Sequence, residues 1–234
     1  MGDGDRGEWV DLTRPFDTDA EHSLALEDPH IETLSAVERG GTNVQRAAFA
    51  THTGTHVDAP LHVVSGGSTI DRTPLSRLLT DGVVLGVDAD GPRPVDAADL
   101  RGFDGLRDGD AVVLSFGWAE HAGTDRYHRY PWLSTDLADR LVERDVALVA
   151  MDTLSPDQPR ELRGDDDPYP VHRRLLGTGV PVVENLADPS TLVGERVEVA
   201  CLPLKLRGGD GAPARVVARR VGDRGDRCPP ECGD

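Results

Sequence analysis

Three cysteines in 234 residues are too few for a disulfide framework. Cys228 and Cys232 offer two thiols where a zinc clip needs four ligands, and Cys201 stands apart from them. Aromatic residues are scarce at 4%, and the hydrophobic share of 38% is below the globular norm. No apolar run approaches the ~20 residues of a membrane-spanning helix. The polar opening, residues 1–8, has no apolar signal-peptide core. These absences exclude a disulfide-stapled secreted module and a helical membrane protein, and they predict a cytoplasmic one. Positive charge is also short: 25 Lys and Arg against 42 Asp and Glu leave −17. Such a chain repels phosphate backbones, so nucleic acid is not expected as a partner.

What the chain does have is a series of short apolar runs. Residues 9–13, 82–88, 111–116, 146–151 and 180–183 read as strands, several of them apolar enough to be buried. Alternation over 196–203 and 214–221 predicts two more, and 43–51 alternates moderately. Residues 14–43, with Pro15, Pro29 and Gly40-Gly41, read as a long surface loop. Ser134 is a good N-cap for a helix running to about Arg144. A second helix is expected over 171–176, stopped near Gly177, and a short one begins at Asp96. Short strands alternating with short helices predict an α/β domain over residues 9–221. Flexible ends are expected at 1–8 and 222–234.

The densest chemistry lies in His52-Thr-Gly-Thr-His-Val-Asp-Ala-Pro-Leu-His62. His52, Gly54, His56, Asp58, Pro60 and His62 are all even-numbered, so an extended chain points them to one face. Gly54, the β-branched neighbours and Pro60 disfavour a helix. Imidazoles and a carboxylate on one face suit zinc, iron or manganese. A straight strand would hold His52 and His56 ~13 Å apart, too far to share one ion, so the chain must bend, and Gly54 permits it. Pro60 then ends the pairing and turns His62 away from direct ligation. Further candidates sit downstream: His172 before an apolar run, Glu184 at the end of the 180–183 strand, and Asp152 after the 146–151 strand. The aromatic stretch of Trp118, His121, Tyr127, His128, Tyr130 and Trp132 either lines a pocket or packs a loop.

The histidine segment resembles the H-x-G-T-H-x-D-x-P-x-H signature of the cyclase-like metal hydrolases, a family that includes bacterial kynurenine formamidase and isatin hydrolase. Pro170-Val-His-Arg-Arg-Leu-Leu176, Val180-Pro-Val-Val-Glu-Asn-Leu186, Cys201-Leu-Pro-Leu-Lys205 and Gly211-Ala-Pro-Ala-Arg215 extend the likeness over residues 9–221. The resemblance implies a compact swivelling β/β/α domain with a mixed or barrel-like sheet and flanking helices. It implies that His52, His56 and Asp58 bind one divalent metal. Asp58 and Glu184 would bridge to a second that His172 completes, the ions being zinc or manganese, with His62 as general acid/base. It also implies a homo-oligomer, a dimer or a tetramer. Residues 20–29 lack the Trp followed by Pro-Gly-Asp of kynurenine formamidases, so the likeness carries the metal chemistry without naming the substrate.

The reaction that follows is cleavage of a small amide, formamide or lactam by metal-activated hydroxide. A metal-assisted cyclase acting on a polyketide-like carbonyl substrate is the alternative. A purely structural metal protein is a third reading, against which His62 stands, since a structural site has no use for an acid/base beside it.

Overall fold

Period-two alternation decides the architecture, because each buried strand sends successive side chains to two different cores. In the computed structural model, which describes residues 7–164 and 167–221, the strands follow in this order. They are β1 (Val10–Asp11), β2 (His30–Ser35), β3 (Val44–Ala48), β4 (His56–Asp58), β5 (Leu79–Val87), β6 (Pro94–Val95) and β7 (Leu100–Arg101). After these come β8 (Ala111–Ser115), β9 (Trp132–Leu133), β10 (Leu148–Met151), β11 (Val182–Glu184), β12 (Arg196–Pro203) and β13 (Gly211–Arg220). The α-helices are α1 (Leu75–Leu78), α2 (Thr135–Glu143) and α3 (Pro170–Gly177). The expectations for Cys228, Cys232 and the extreme ends fall outside the described residues.

Strand order β13-β12-β5-β8-β10-β11-β4 closes on itself, because β4 also pairs with β13. β5, β8, β10 and β11 run parallel to one another, while the pairings β11–β4, β4–β13, β13–β12 and β12–β5 are antiparallel. The result is a seven-stranded, barrel-like mixed sheet. Val57, Val84, Val113, Ala150, Val183, Val199 and Val216, one from each strand, form its apolar interior. The residues between them, such as Val83, Leu85, Val112, Leu114 and Val149, face outward onto α2 and α3 through Leu137, Leu141, Leu175 and Leu176. A one-residue register slip would exchange the two sets, so the pattern itself fixes the register. Ser134 caps α2 as expected, its Oγ accepting the N–H of Leu137 at 3.1 Å.

Two readings of the sequence are corrected. Residues 14–43 are not all loop: β2 pairs with β3 as an antiparallel hairpin. Every residue of β3 is exposed, so burial did not mark it; the cross-strand Glu32–Arg46 pair at 2.7 Å helps to define it. The turn after Asp96 is a single 3₁₀ turn, Ala97–Asp99, closed by reciprocal bonds of Asp96 and Asp99, and the chain then enters β7. Among the described residues no helix is long and apolar enough to cross a membrane.

Candidate metal centre

Only three residues of the histidine segment, His56–Asp58, are strand. Gly54 has φ +64, so the chain turns sharply between His52 and His56, as their separation required. β4 lies between β11 and β13. The first pairing sets Glu184 opposite His56, and the second sets Gly211 opposite Asp58. Gly211 makes room for His52: a Cβ there would lie 2.7 Å from His52 Cε1 and 2.8 Å from the Val57 carbonyl. His62 leaves the strand in the 3₁₀ turn Pro60–His62. Its ring centroid stands 3.9 Å from His52 and 5.5 Å from His172. His172 is the third residue of α3, which Pro170 opens.

These elements bring all six predicted site residues together. His56 Nε2 lies 3.3 Å from Asp58 Oδ1 and 3.3 Å from Glu184 Oε2. His172 Nε2 lies 3.3 Å from Asp58 Oδ2 and 3.2 Å from Glu184 Oε1. Each carboxylate thus faces two imidazoles, while His52 Nδ1 meets Asp58 Oδ1 at 2.6 Å. His56 Nε2 and Glu184 Oε1 are buried without a partner in hydrogen-bond geometry. The donor atoms of His52, His56 and Asp58 lie within 4.8 Å of one another, as do those of Asp58, His62 and His172. Buried orphan atoms are costly in a native interior unless something else satisfies them. Imidazole nitrogens and shared carboxylates are what a divalent cation takes, so the residues fit a metal ion.

The opposite nitrogen of each candidate ligand histidine is pinned. His56 Nδ1 donates to the Gly54 carbonyl at 2.8 Å. His172 Nδ1 meets Asp157 Oδ2 at 2.6 Å, and His52 Nε2 meets Asp210 Oδ2 at 2.9 Å. Pinned outer nitrogens of this kind orient the ring and raise its basicity toward a metal. Asp157 and Asp210 were not singled out in the sequence. Asp157 lies six residues past the β10 strand end, and Asp210 directly precedes Gly211, so local pattern marks neither as a partner of a histidine.

Electrostatics agree with the geometry. Burial opposes protonation of His52, but the Asp58 charge and the bonds to Asp210 and Asp58 raise its pKa to about 9. Burial likewise opposes it at His56, where Asp58 and Glu184 lift the pKa to about 10. His172 is raised by Asp157, Asp58 and Glu184 against the same burial. Asp58 is held well below the carboxylate range by His56 and His52, although burial acts the other way. His62 differs: burial is the largest influence, and its pKa is lowered. The two carboxylates thus favour positive charge at the imidazoles they face.

Asp152 is elsewhere. Burial raises its pKa to about 6, and its carboxylate accepts the backbone N–H groups of Phe116, Trp118 and Ala119. It fixes a loop rather than a metal. Of the aromatic stretch, Trp118, Tyr127 and Tyr130 are buried in the outer core, which is the packing alternative.

The chain resembles known proteins in sequence and in fold. The model of the cyclase family, described as "Putative cyclase", matches residues 10–158. The kynurenine formamidase of Salinibacter ruber is 33% identical over 192 residues, 80% of this chain and 84% of that protein. A solved structure described as a potential metal-dependent hydrolase with cyclase activity is 26% identical, with a TM-score of 0.74 over 92% of this chain and 98% of that one. An isatin hydrolase bound to the product analogue thioisatinate shares the fold, with a TM-score of 0.82 at 22% identity over 92% and 93%. With its histidine segment, its closed mixed sheet and these relatives, the chain belongs to the cyclase family of metal-dependent hydrolases.

Proposed function

We propose that this protein hydrolyses the C–N bond of a small amide, formamide or lactam, using two divalent ions, zinc or manganese. The observation that carries the reading is the double facing of His56 and His172 onto Asp58 and Glu184, four contacts of 3.2–3.3 Å in a buried cluster. His52, His56 and Asp58 would hold one ion; Asp58, Glu184 and His172 the other. Such ions supply Lewis acidity and lower the pKa of a water toward ~7.

The chain's own residues do the rest. Solvent reaches the cluster from the His62 side: the His62 side chain is 26% exposed and that of His56 1%. A substrate entering there meets His62 first. His62 takes a proton from the attacking water and returns it to the leaving nitrogen, so the amide gives a carboxylic acid and an amine. The formamidase relative supports a formamide as substrate. The cyclase reading is favoured by the relative described as having cyclase activity, since the same groups could remove a proton beside a carbonyl. Metal-loaded protein assayed on formanilide, on isatin-type lactams and on cyclisable ketones separates the two. Turnover of the ketones alone would overturn the hydrolase. Elemental analysis of saturated protein is expected to give two ions per chain; one or none would contradict the dinuclear centre.

The same reading includes self-association as a dimer or tetramer. It is supported by the hairpin of β2 and β3, whose outer edges pair with no other strand among the described residues, and which two strands alone stabilise poorly. Sedimentation of the intact chain tests it, and a monomer at all concentrations would exclude it. A cytoplasmic location is part of the proposal, supported by Cys201, a free, buried thiol.

A further inference from the structure

Asn185 follows Glu184 at the end of β11, fully buried, with φ +59. A left-handed backbone outside glycine is uncommon, and asparagine tolerates it better than most residues. Its backbone is fixed on both sides: its N–H donates to the Thr153 carbonyl at 3.0 Å, and its carbonyl accepts Thr55 Oγ1 at 2.7 Å. The side chain then crosses to the histidine segment. Nδ2 donates to the Gly54 carbonyl at 3.1 Å, and Oδ1 accepts the Tyr127 hydroxyl at 2.7 Å. The amide orientation is not arbitrary, because a carbonyl can only accept, so the NH2 group must face Gly54.

The Gly54 carbonyl is also the acceptor for His56 Nδ1. One oxygen thus receives both the Asn185 amide and the His56 ring. Its position sets the tilt of the imidazole, and it keeps Nδ1 as a donor and Nε2 turned toward Asp58 and Glu184. At the other end, the left-handed turn at Asn185 stops β11 directly after Glu184, and the next N–H, that of Leu186, bonds to Met151. The same residue therefore holds a carboxylate through the backbone and an imidazole through its side chain, across two segments 131 positions apart.

We infer that Asn185 is a positioning residue of the metal centre, clamping His56, in the ligand set of one ion, against Glu184, in that of the other. The inference rests on the metal-centre reading above. Partners that orient ligands in this way typically change metal affinity ~10–100-fold when removed.

The test uses the full chain and two metals. Zinc affinity is measured by chelator competition, and coordination geometry from the visible spectrum of the cobalt(II)-loaded protein. Asn185→Gly keeps access to the left-handed backbone and deletes the clamp. Asn185→Asp keeps the size but sets a carboxylate oxygen against the Gly54 carbonyl. Both are expected to weaken zinc binding ~10–100-fold and to alter the cobalt spectrum. The melting temperature of the metal-free Asn185→Gly protein should change far less than its zinc affinity. Wild-type zinc affinity and an unchanged cobalt spectrum in both variants would overturn the inference, whatever their melting temperatures. If neither variant folds, Tyr127→Phe removes only the hydroxyl that orients the amide. It should shift the cobalt spectrum and weaken zinc less than the Asn185 changes do, and wild-type values there would likewise overturn the clamp. Wild-type protein that binds neither metal would instead defeat the metal-centre reading, so the two failures are distinguishable.

Discussion

His172 Nδ1 and Asp157 Oδ2 lie 2.6 Å apart, and the same carboxylate accepts the backbone N–H groups of Val171 and His172 at the start of α3. Asp157 therefore holds the first turn of the helix and the ring it carries with one group. Asp157→Asn can keep an acceptor for the backbone while losing the charge behind the imidazole. We expect it to fold and to bind zinc ~10–100-fold more weakly. Chelator competition checks this, and unchanged affinity would remove Asp157 from the site.

The histidine segment was legible because its ligands crowd into eleven residues and because a straight chain could not bring His52 and His56 to one ion. The bend at Gly54 followed from that distance argument, and φ +64 agrees with it. Glu184 and His172 were legible as candidates by their places near a strand end and a helix start. The partners that orient the rings were not. Asp157, Asp210 and Asn185 act across 15, 158 and 131 positions of chain, and no local pattern reports such pairings. In the fold, the apolar strands could be read from their runs, with ends displaced by up to three residues. The hairpin of β2 and β3 could not, because neither strand carries a fully buried residue.

Gly211 offers a second check on His52. Alanine there would place a methyl 2.7 Å from the ring and 2.8 Å from the Val57 carbonyl, so either the imidazole or the β4–β13 pairing must move. Overpacking of this kind typically costs ~1–3 kcal/mol. Gly211→Ala should lower the melting temperature and also reduce the metal content at the site. A variant with both values at wild-type level would show that His52 has more room than the geometry gives it.

Proton linkage gives a prediction in which metal-free and metal-loaded protein behave oppositely. The folded pKa values of His52 and His56, about 9 and about 10, lie above the ordinary 6.5. A group raised on folding contributes stability that is fully present below its unfolded pKa and is lost as pH rises through the folded value. Metal-free protein should therefore lose stability between about pH 6.5 and 10. A metal must displace those protons, so zinc affinity should fall as pH is lowered through the same range. Titration calorimetry at pH 7.5 in buffers of different ionisation enthalpy should register more than one proton released per chain. Metal-free melting temperatures that stay level or rise over this range would refute the linkage.

His62 decides between proton transfer and ligation. It lies past Pro60, its side chain is 26% exposed, and burial lowers its pKa, so the ring is neutral at pH 7 and ready to accept a proton. Its Nδ1 stands 3.8 Å from Asp210 Oδ2, near the carboxylate that pins His52 but beyond hydrogen-bond reach. Its donor atoms also fall within 4.8 Å of those of Asp58 and His172, close enough for the rival role. General acid–base groups typically contribute ~10²–10⁴-fold to rate. His62→Ala should lower turnover of formanilide within about that range, with two ions retained. The loss should shrink for anilides whose leaving amine departs without a proton, since the transferred proton then matters less. A drop to one ion, with an equal loss of rate for every leaving group, would make His62 a ligand and move the proton transfer to another residue.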